Sequence, residues 1–332
     1  MKRLEDVVKY RSAWMGLAII WVIFFHIGIT VELPILSFIK KVGYGGVDIF
    51  VFCTGVGCYY SLFKNENVLE FYSRRMKRIY PTYWLFLPLW YAFVICTDEF
   101  KPTYLIGNIL GLQTFTGNGN EVSWYISAMV LFYVMCPLFY FLVKKAGDDY
   151  RRICLYFLGT IVFTFAFWAS LHMNIMTTRI PLLYLGMLLG HECKRGRGLD
   201  RRLITALICC MVVGIITLVV FMKFFEDLLR PWGLWWYPFI LIVPGMAVLF
   251  SILLNSMQKL KAIAWISTLF SKIGEMSFEL FLCHFLCFDI LRKLIENGKT
   301  PDAWYSWLIA LICAGVMAYL LKIARDKIFR HI

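Results

Sequence analysis

Several motifs of soluble enzymes and pumps are missing from the sequence. It contains no Walker-type phosphate loop, no glycine-rich dinucleotide pattern after a strand, and no HExxH sequence. ATP-driven transport and zinc proteolysis therefore have no support. No internal repeat is convincing, which weakens the interpretation as a transporter built from inverted repeats.

The cysteines lack the pattern of a disulfide framework. They number eleven, an odd count, and most lie inside apolar segments, so we expect them to pack as small core residues. The stretch "CHFLC" around His284 lacks the two-pair spacing of a zinc site. The sequence therefore predicts neither a metal site nor a tightly bound cofactor.

Apolar residues dominate the chain. Of its 332 residues 61% are hydrophobic and 18% are aromatic, whereas soluble domains are about 45–50% apolar. The first apolar stretch has no small-residue cleavage pattern, so we interpret it as a retained span.

The sequence predicts an all-α polytopic membrane protein, a single domain over residues 1–332 with no fused soluble domain. About ten transmembrane helices are expected, at roughly 20 residues for each crossing. They are predicted near residues 14–31, 46–63, 80–97, 124–143, 153–171, 179–191, 203–222, 234–254, 274–291 and 304–321.

The formal charge of +13 is unevenly distributed. Lysine and arginine concentrate in "SRRMKR", "KKAGDDYRR", "KRGRGLDRR" and "KIARDKIFR", which alternation of the spans places on one side. This is the positive-inside pattern, so we expect both termini to be cytoplasmic and Asn118 to face outside. The basic charge then indicates anionic membrane lipids rather than nucleic acid as a partner. The stretch "YLIGNILGLQTF" is too short to cross and is expected on the surface or as a re-entrant segment.

His26 is the first candidate functional residue, because ionisable groups inside a span tend to line polar cavities. A histidine can take or give a proton near neutral pH, which suits a general base. The alternative is a buried histidine bonded to a neighbouring helix. Arg11, fifteen residues earlier, is expected at the cytoplasmic edge of the same helix. Glu32 is expected at its outer end, as a minor candidate for orienting the imidazole.

A basic cluster precedes the third predicted span. Arg75 and Arg78 are spaced i, i+3 and therefore share a helical face, with Arg74 beside them. Guanidinium groups suit phosphate oxygens, although a topology signal or lipid anchor is the competing interpretation. Pro81 follows, at the position where the next helix is predicted to begin.

Other polar and aromatic residues add five candidates. Asp48 is either a helix cap or part of the catalytic group. Trp124 and Tyr125 are either belt aromatics or lining for a sugar site. Glu279 and His284 add two ionisable groups to one predicted span and are candidates for substrate binding, with His284 ranked below His26 as a base.

Taken together, these stretches resemble the membrane acyltransferase-3 family of integral-membrane O-acyltransferases. The resemblance rests on "GLAIIWVIFFH", "GGVDIFVFCTG", "RRMKRIYPTYW", "WYISAMVLFYVMCP" and "IGEMSFELFLCH", in order over nearly the whole chain. It implies that His26 corresponds to the family's essential histidine and that Arg75 and Arg78 match an RxxR pair that holds acyl-CoA. Met15 stands where the family usually has an arginine, and Arg11, one turn earlier, is a candidate replacement.

The resemblance also implies an activity. Acyl-CoA, with acetyl-CoA as the first expectation, would be the co-substrate, and a carbohydrate or lipid-linked glycan outside the cytoplasm would be the acceptor. His26 would deprotonate the acceptor hydroxyl, with Glu32 or Asp48 passing the proton on, while Arg11, Arg74, Arg75 and Arg78 hold the CoA. Trp124, Tyr125, Glu279 and His284 would contact substrate. The expected location is a bacterial plasma or inner membrane. The alternative is a carrier of a small anionic or lipid-linked solute, which intramembrane ionisable residues also fit.

Overall fold

The computed structural model describes residues 2–97, 101–116, 123–166, 171–260 and 262–329. These residues form α-helices and short 3₁₀ turns without a β-strand, which confirms the all-α class. The helices are α1 Leu4–Val8, α2 Arg11–His26, α3 Pro34–Lys41, α4 Gly46–Lys64, α5 Val68–Cys96, α6 Leu105–Ile109, α7 Ser123–Ala146, α8 Tyr150–Ala166, α9 Leu171–Thr177, α10 Ile180–Lys194, α11 Arg201–Phe224, α12 Glu226–Leu229, α13 Pro238–Gln258, α14 Trp265–Glu275, α15 Ser277–Glu296 and α16 Trp304–Ile328.

Six helical segments in the described part of the chain are long and apolar enough to cross a membrane. They are Gly43–Lys64, Val68–Cys96, Ser123–Ala146, Arg201–Phe224, Leu234–Gln258 and Trp304–Ile328. Helix α2 is apolar but shorter, at 16 residues. The ninth predicted span, 274–291, is interrupted, because α14 ends at Glu275 and α15 begins at Ser277. The total of ten spans therefore stays a prediction.

The first predicted span is shorter than the sequence suggested. Helix α2 ends at His26, because Ile27 is extended and the chain stays non-helical up to Leu33, whose extended conformation is the one favoured before proline. His26 is therefore the last residue of its helix and does not lie in the middle of one. Glu32 lies in the connection to α3 and is exposed, so its predicted position at the end of the same helix was wrong.

The third predicted span is longer than expected. Helix α5 begins at Val68, where the Asn67 side chain accepts a hydrogen bond from the Glu70 backbone N–H. It continues through Pro81 and Pro88 to Cys96, so the prediction that a helix begins at Pro81 was wrong. Membrane helices tolerate interior prolines because neighbouring groups satisfy the freed backbone atoms. The basic cluster consequently lies on the body of a helix.

Glycines allow the central helices to touch backbone to backbone. A Cβ added to Gly274 on α14 would lie 1.8 Å from the carbonyl oxygen of Ser12 on α2, and Gly16 faces the same crossing. Gly55 and Gly186 do the same where α4 crosses α10. Because lipid gives helices no hydrophobic reason to associate, such close contacts are an important source of membrane-helix packing energy.

Several basic helix ends lie at one face of the molecule. The carbonyl of Lys2 accepts a hydrogen bond of 2.8 Å from the Leu199 N–H, and the described C-terminal end of α16 carries Arg325. We call this face, where the helix ends carry Arg11, Arg195 and Arg325, the basic face. There the Arg195 guanidinium bonds Asp148 and lowers the pKa of that carboxyl. The location of both termini in the cytoplasm stays a prediction.

The opposite face carries the end of α2 and short helices. The stretch from Tyr104 to Phe115 contains α6 and packs against α5, where Tyr83 donates a 2.8 Å hydrogen bond to the Asn108 carbonyl. It is too short to cross, as the sequence predicted. Asn118 lies outside the described residues.

Candidate active site

A cavity of about 250 Å³ lies near the basic face and is lined by residues of α2, α4, α5, α7, α14, α15 and α16. Four guanidinium groups line it: Arg11, Arg75, Arg78 and Arg325. Arg75 and Arg78 share one face of α5, as their spacing predicted. In the described part of the chain, Arg11, Arg75 and Arg78 have no carboxylate within 4.0 Å, so no ion pair neutralises their charge at the cavity.

Arg75 is the most constrained of these arginines. It is buried, donates a hydrogen bond of 2.8 Å from Nη2 to the Gly57 carbonyl, and lies over the rings of Phe71 and Tyr133. Its Nε is buried and has no hydrogen-bond partner among the described atoms. Since an unpaired buried donor is costly, this N–H is available to an acceptor that enters the cavity.

Arg11 approaches the same point from α2. A Cβ on Gly57 would lie 2.2 Å from the Nη1 atom of Arg11, so only glycine admits the guanidinium there. Met15, one turn further along α2, also lines the cavity. Arg11 therefore reaches the cavity that a side chain at residue 15 also faces.

The candidate Glu279 lies in the cavity wall. It is buried and forms an ion pair with Arg325 of α16, which also bonds Asp326. In the sequence, Arg325 is only one of several basic residues in the C-terminal stretch "KIARDKIFR". Its spacing offered no signal, because the contact joins residues 46 apart in the chain.

Two aromatic rings lie side by side in the cavity wall. Tyr125 and Phe281 both line it, and their ring centroids are 4.4 Å apart. Tyr125 is buried among the helices, so the belt interpretation does not apply to it.

His26 and His284 form a pair beyond these rings. Their ring centroids are 5.5 Å apart, and the His284 ring lies 5.7 Å from that of Phe281. His284 is fully buried, whereas His26 is half-buried. The His26 carbonyl accepts a hydrogen bond of 3.1 Å from Arg292, which holds the end of α2 against α15.

Asp48 and Trp124 meet around an arginine that the sequence analysis did not single out. Arg179 is buried, with its Nε 3.6 Å from Oδ1 of Asp48 and its guanidinium over the rings of Trp124 and Trp236 at 5.5 and 5.2 Å. The sequence signal was a single charge at the start of the sixth predicted span. Such an ion pair is costly to break by removing one partner.

Two candidates lie away from the cavity. Arg74 turns toward the end of α4, where it bonds Ser61 and the Asn65 carbonyl and pairs with Glu70. Glu32 is exposed in the connection after α2. The structure brings together Arg11, Arg75, Arg78, Tyr125 and Glu279 in one cavity wall, and His26 with His284 behind it.

The chain was compared with models of known protein families. The family model described as an acyltransferase domain, Acyl_transf_3, matches residues 15–324. The chain therefore belongs to the acyltransferase-3 family. A comparison with curated proteins and one with solved structures each gave no match.

Proposed function

We propose that the protein is a membrane O-acyltransferase that moves an acyl group, acetyl in the first instance, from cytoplasmic acyl-CoA to a hydroxyl of an extracytoplasmic carbohydrate or related acceptor. His26 acts as the general base. One observation carries the proposal: Arg11 and His26 are the first and last residues of one helix, with the basic cavity at one end and an imidazole at the other.

The dimensions suit a donor that carries its phosphates far from its thioester. Fifteen residues of helix separate Arg11 from His26, or about 22 Å at 1.5 Å per residue. A cavity of about 250 Å³ is below the roughly 300–1,000 Å³ of sites that enclose whole ligands. It therefore accepts the phosphates or the arm of CoA, while the adenosine stays outside at the basic face.

The charges support binding of the phosphates by Arg11, Arg75 and Arg78. None of the three is neutralised by a carboxylate in the described part of the chain, and Arg75 has a free buried Nε–H. Arg325 is already paired with Glu279 and Asp326, so these carboxylates neutralise its charge at the cavity wall.

The reaction follows from the arrangement of groups. His26 takes the proton of the acceptor hydroxyl, the oxygen attacks the thioester carbonyl, and the C–S bond breaks with its electron pair on sulfur. For the thioester to reach His26, the rings of Tyr125 and Phe281 must separate. Such movements of buried side chains accompany substrate entry in many enzymes.

Sealed proteoliposomes test the proposal. With the purified protein in one orientation, radiolabelled acetyl-CoA on the basic-face side is expected to acylate a polysaccharide supplied only on the other side. Transport of intact solute without any acyl transfer would instead establish the carrier alternative. Transfer that needs donor and acceptor on the same side would refute the transmembrane route.

A further inference from the structure

The protonation pattern of His284 is fixed by its surroundings. Its Nδ1 lies 2.9 Å from the carbonyl oxygen of Leu280, one turn earlier on α15. A carbonyl only accepts hydrogen bonds, so Nδ1 carries the hydrogen in the neutral ring. The other nitrogen, Nε2, is therefore left with its lone pair.

That lone pair has no partner among the described residues. Nε2 of His284 is buried and makes no hydrogen bond among the described atoms. The ring is surrounded by the rings of Phe281, Phe285 and Phe288, at centroid distances of 5.7, 4.3 and 5.8 Å, and by His26. An unpaired buried acceptor costs free energy, so a group that enters the site and donates a hydrogen to it would be favoured.

His284 also lies on the cavity side of the histidine pair. Phe281, three residues before it on α15, lines the cavity and contacts the His284 ring. Among the described residues, the phenylalanine rings that contact His26 are Phe25 and Phe285, and neither lines the cavity. A thioester arm that passes Tyr125 and Phe281 therefore meets His284 next to His26. His284 then lies on the side of the acyl donor, and His26 lies on the side of the acceptor.

We propose that His284 is a second proton-transfer residue, which receives the acceptor's proton from His26 and delivers it through Nε2 to the leaving sulfur. This inference rests on the proposed function. The acceptor O–H bond breaks and its proton goes to His26, while the O–C bond to the acyl group forms. The C–S bond breaks, and the proton passes through His284 to the thiolate, which leaves as the free thiol. Both histidines end neutral.

A substitution that keeps the hydrogen bond but removes the base tests this role. In His284→Asn the amide N–H replaces Nδ1–H toward the Leu280 carbonyl, and nothing replaces Nε2. We expect kcat to fall by about 10²–10⁴-fold, the usual contribution of an acid–base group, with the KM for acetyl-CoA nearly unchanged. Activity of His284→Asn close to that of the wild type would show that the residue is only structural.

Chemical rescue gives a second measurement, which distinguishes a lost base from lost packing. In His284→Ala, added imidazoles should restore transfer at rates that rise with their basicity, and N-methylpyrrole, of similar size but not basic, should restore none. Equal rescue by N-methylpyrrole would overturn the proposal, because it would reflect filling of a hole. This measurement remains informative if His284→Asn folds poorly.

His191 provides the matched control. It too is buried, its Nδ1 is 2.8 Å from the Tyr59 hydroxyl, and its Nε2 has no described partner, but it lies at the basic end of α10. His191→Asn should keep its activity. A wild-type protein without any transfer would refute the acyltransferase proposal itself. An inactive His26→Ala beside an active His284→Asn would refute only the role of His284.

Discussion

Arg11 and Met15 lie one helical turn apart on α2 and both line the same basic cavity. The resemblance of the sequence to acyltransferase-3 proteins places the family's arginine at residue 15. Since the guanidinium of Arg11 reaches Gly57 and the same cavity, it supplies the positive charge from one turn further toward the basic face.

Exchanging these two residues tests whether Arg11 has taken over that role. Arg11→Met should weaken acetyl-CoA binding by roughly 10- to 150-fold, the equivalent of a lost charged hydrogen bond. Adding Met15→Arg to that variant should restore much of the affinity, as measured by titration in nanodiscs. No loss in Arg11→Met would show that Arg11 only anchors the helix.

Arg75 and Arg78 are expected to bind the donor's phosphates. Arg75→Ala and Arg78→Ala should each reduce acetyl-CoA affinity by roughly 10- to 150-fold, and the double variant should be worse than either. Lysine should rescue only partly, because it lacks the planar fork. Lys77→Ala is the control, since Lys77 lies between them on α5, is exposed and is not in the cavity wall. Equal losses in all three would point to a nonspecific effect of surface charge.

His26 is expected to be essential for the chemical step. His26→Ala should lower kcat for acetyl transfer by about 10²–10⁴-fold while acetyl-CoA binding and thermal unfolding stay near those of the wild type. The reason is that His26 lies beyond the Tyr125–Phe281 contact, away from the proposed phosphate site. A variant that loses acetyl-CoA binding together with kcat would contradict this separation.

The crossing of α2 and α14 should not tolerate a side chain. In Gly274→Ala the new Cβ would lie 1.8 Å from the Ser12 carbonyl oxygen, so the two backbones must move apart and the Tm should fall. Gly315→Ala on α16 is the control, since nothing lies within 4 Å of its added Cβ. There the change should be neutral or stabilising by up to about 1 kcal/mol. Similar melting temperatures for the two variants would show that the crossing is not tight.

Cysteine labelling can test the predicted orientation of the protein in the membrane. Ser37 on α3 is exposed at the face opposite the cavity, and Lys145 is exposed at the end of α7 on the basic face. In a cysteine-free background and intact cells, Ser37→Cys should react with an impermeant maleimide and Lys145→Cys should not. The reverse pattern would invert the topology and with it the side from which the donor enters.

The sequence predicted the helical class and one face of α5 because these depend on local periodicity and spacing. It located His26 but misjudged its setting, since helix α2 ends at that residue rather than near residue 31. Helix α2 ends there because the connection to Pro34 is extended, and a hydropathy pattern does not predict such a connection. Similarly, Pro81 suggested a helix start, whereas neighbouring helices support it inside α5.

The site residues that the sequence did not predict make contacts with residues far away in the chain. Arg325 meets Glu279 across 46 residues, and Arg179 meets Asp48 between distant spans. In the local sequence, each of these arginines looks like an ordinary basic residue near a helix end. Only the packing of the helices shows that Arg325 lines the cavity and that Arg179 is buried between two indoles.

The contact between Tyr125 and Phe281 has a consequence for the cell that holds the protein. A water-filled path from the basic face to two imidazoles would let protons leak down the membrane potential, which is worth about 2.3 kcal/mol per elementary charge at 100 mV. Tyr125 and Phe281 line the cavity with their ring centroids 4.4 Å apart, and neither His26 nor His284 is in its wall, so we expect these rings to hinder the passage of water and ions to the histidines.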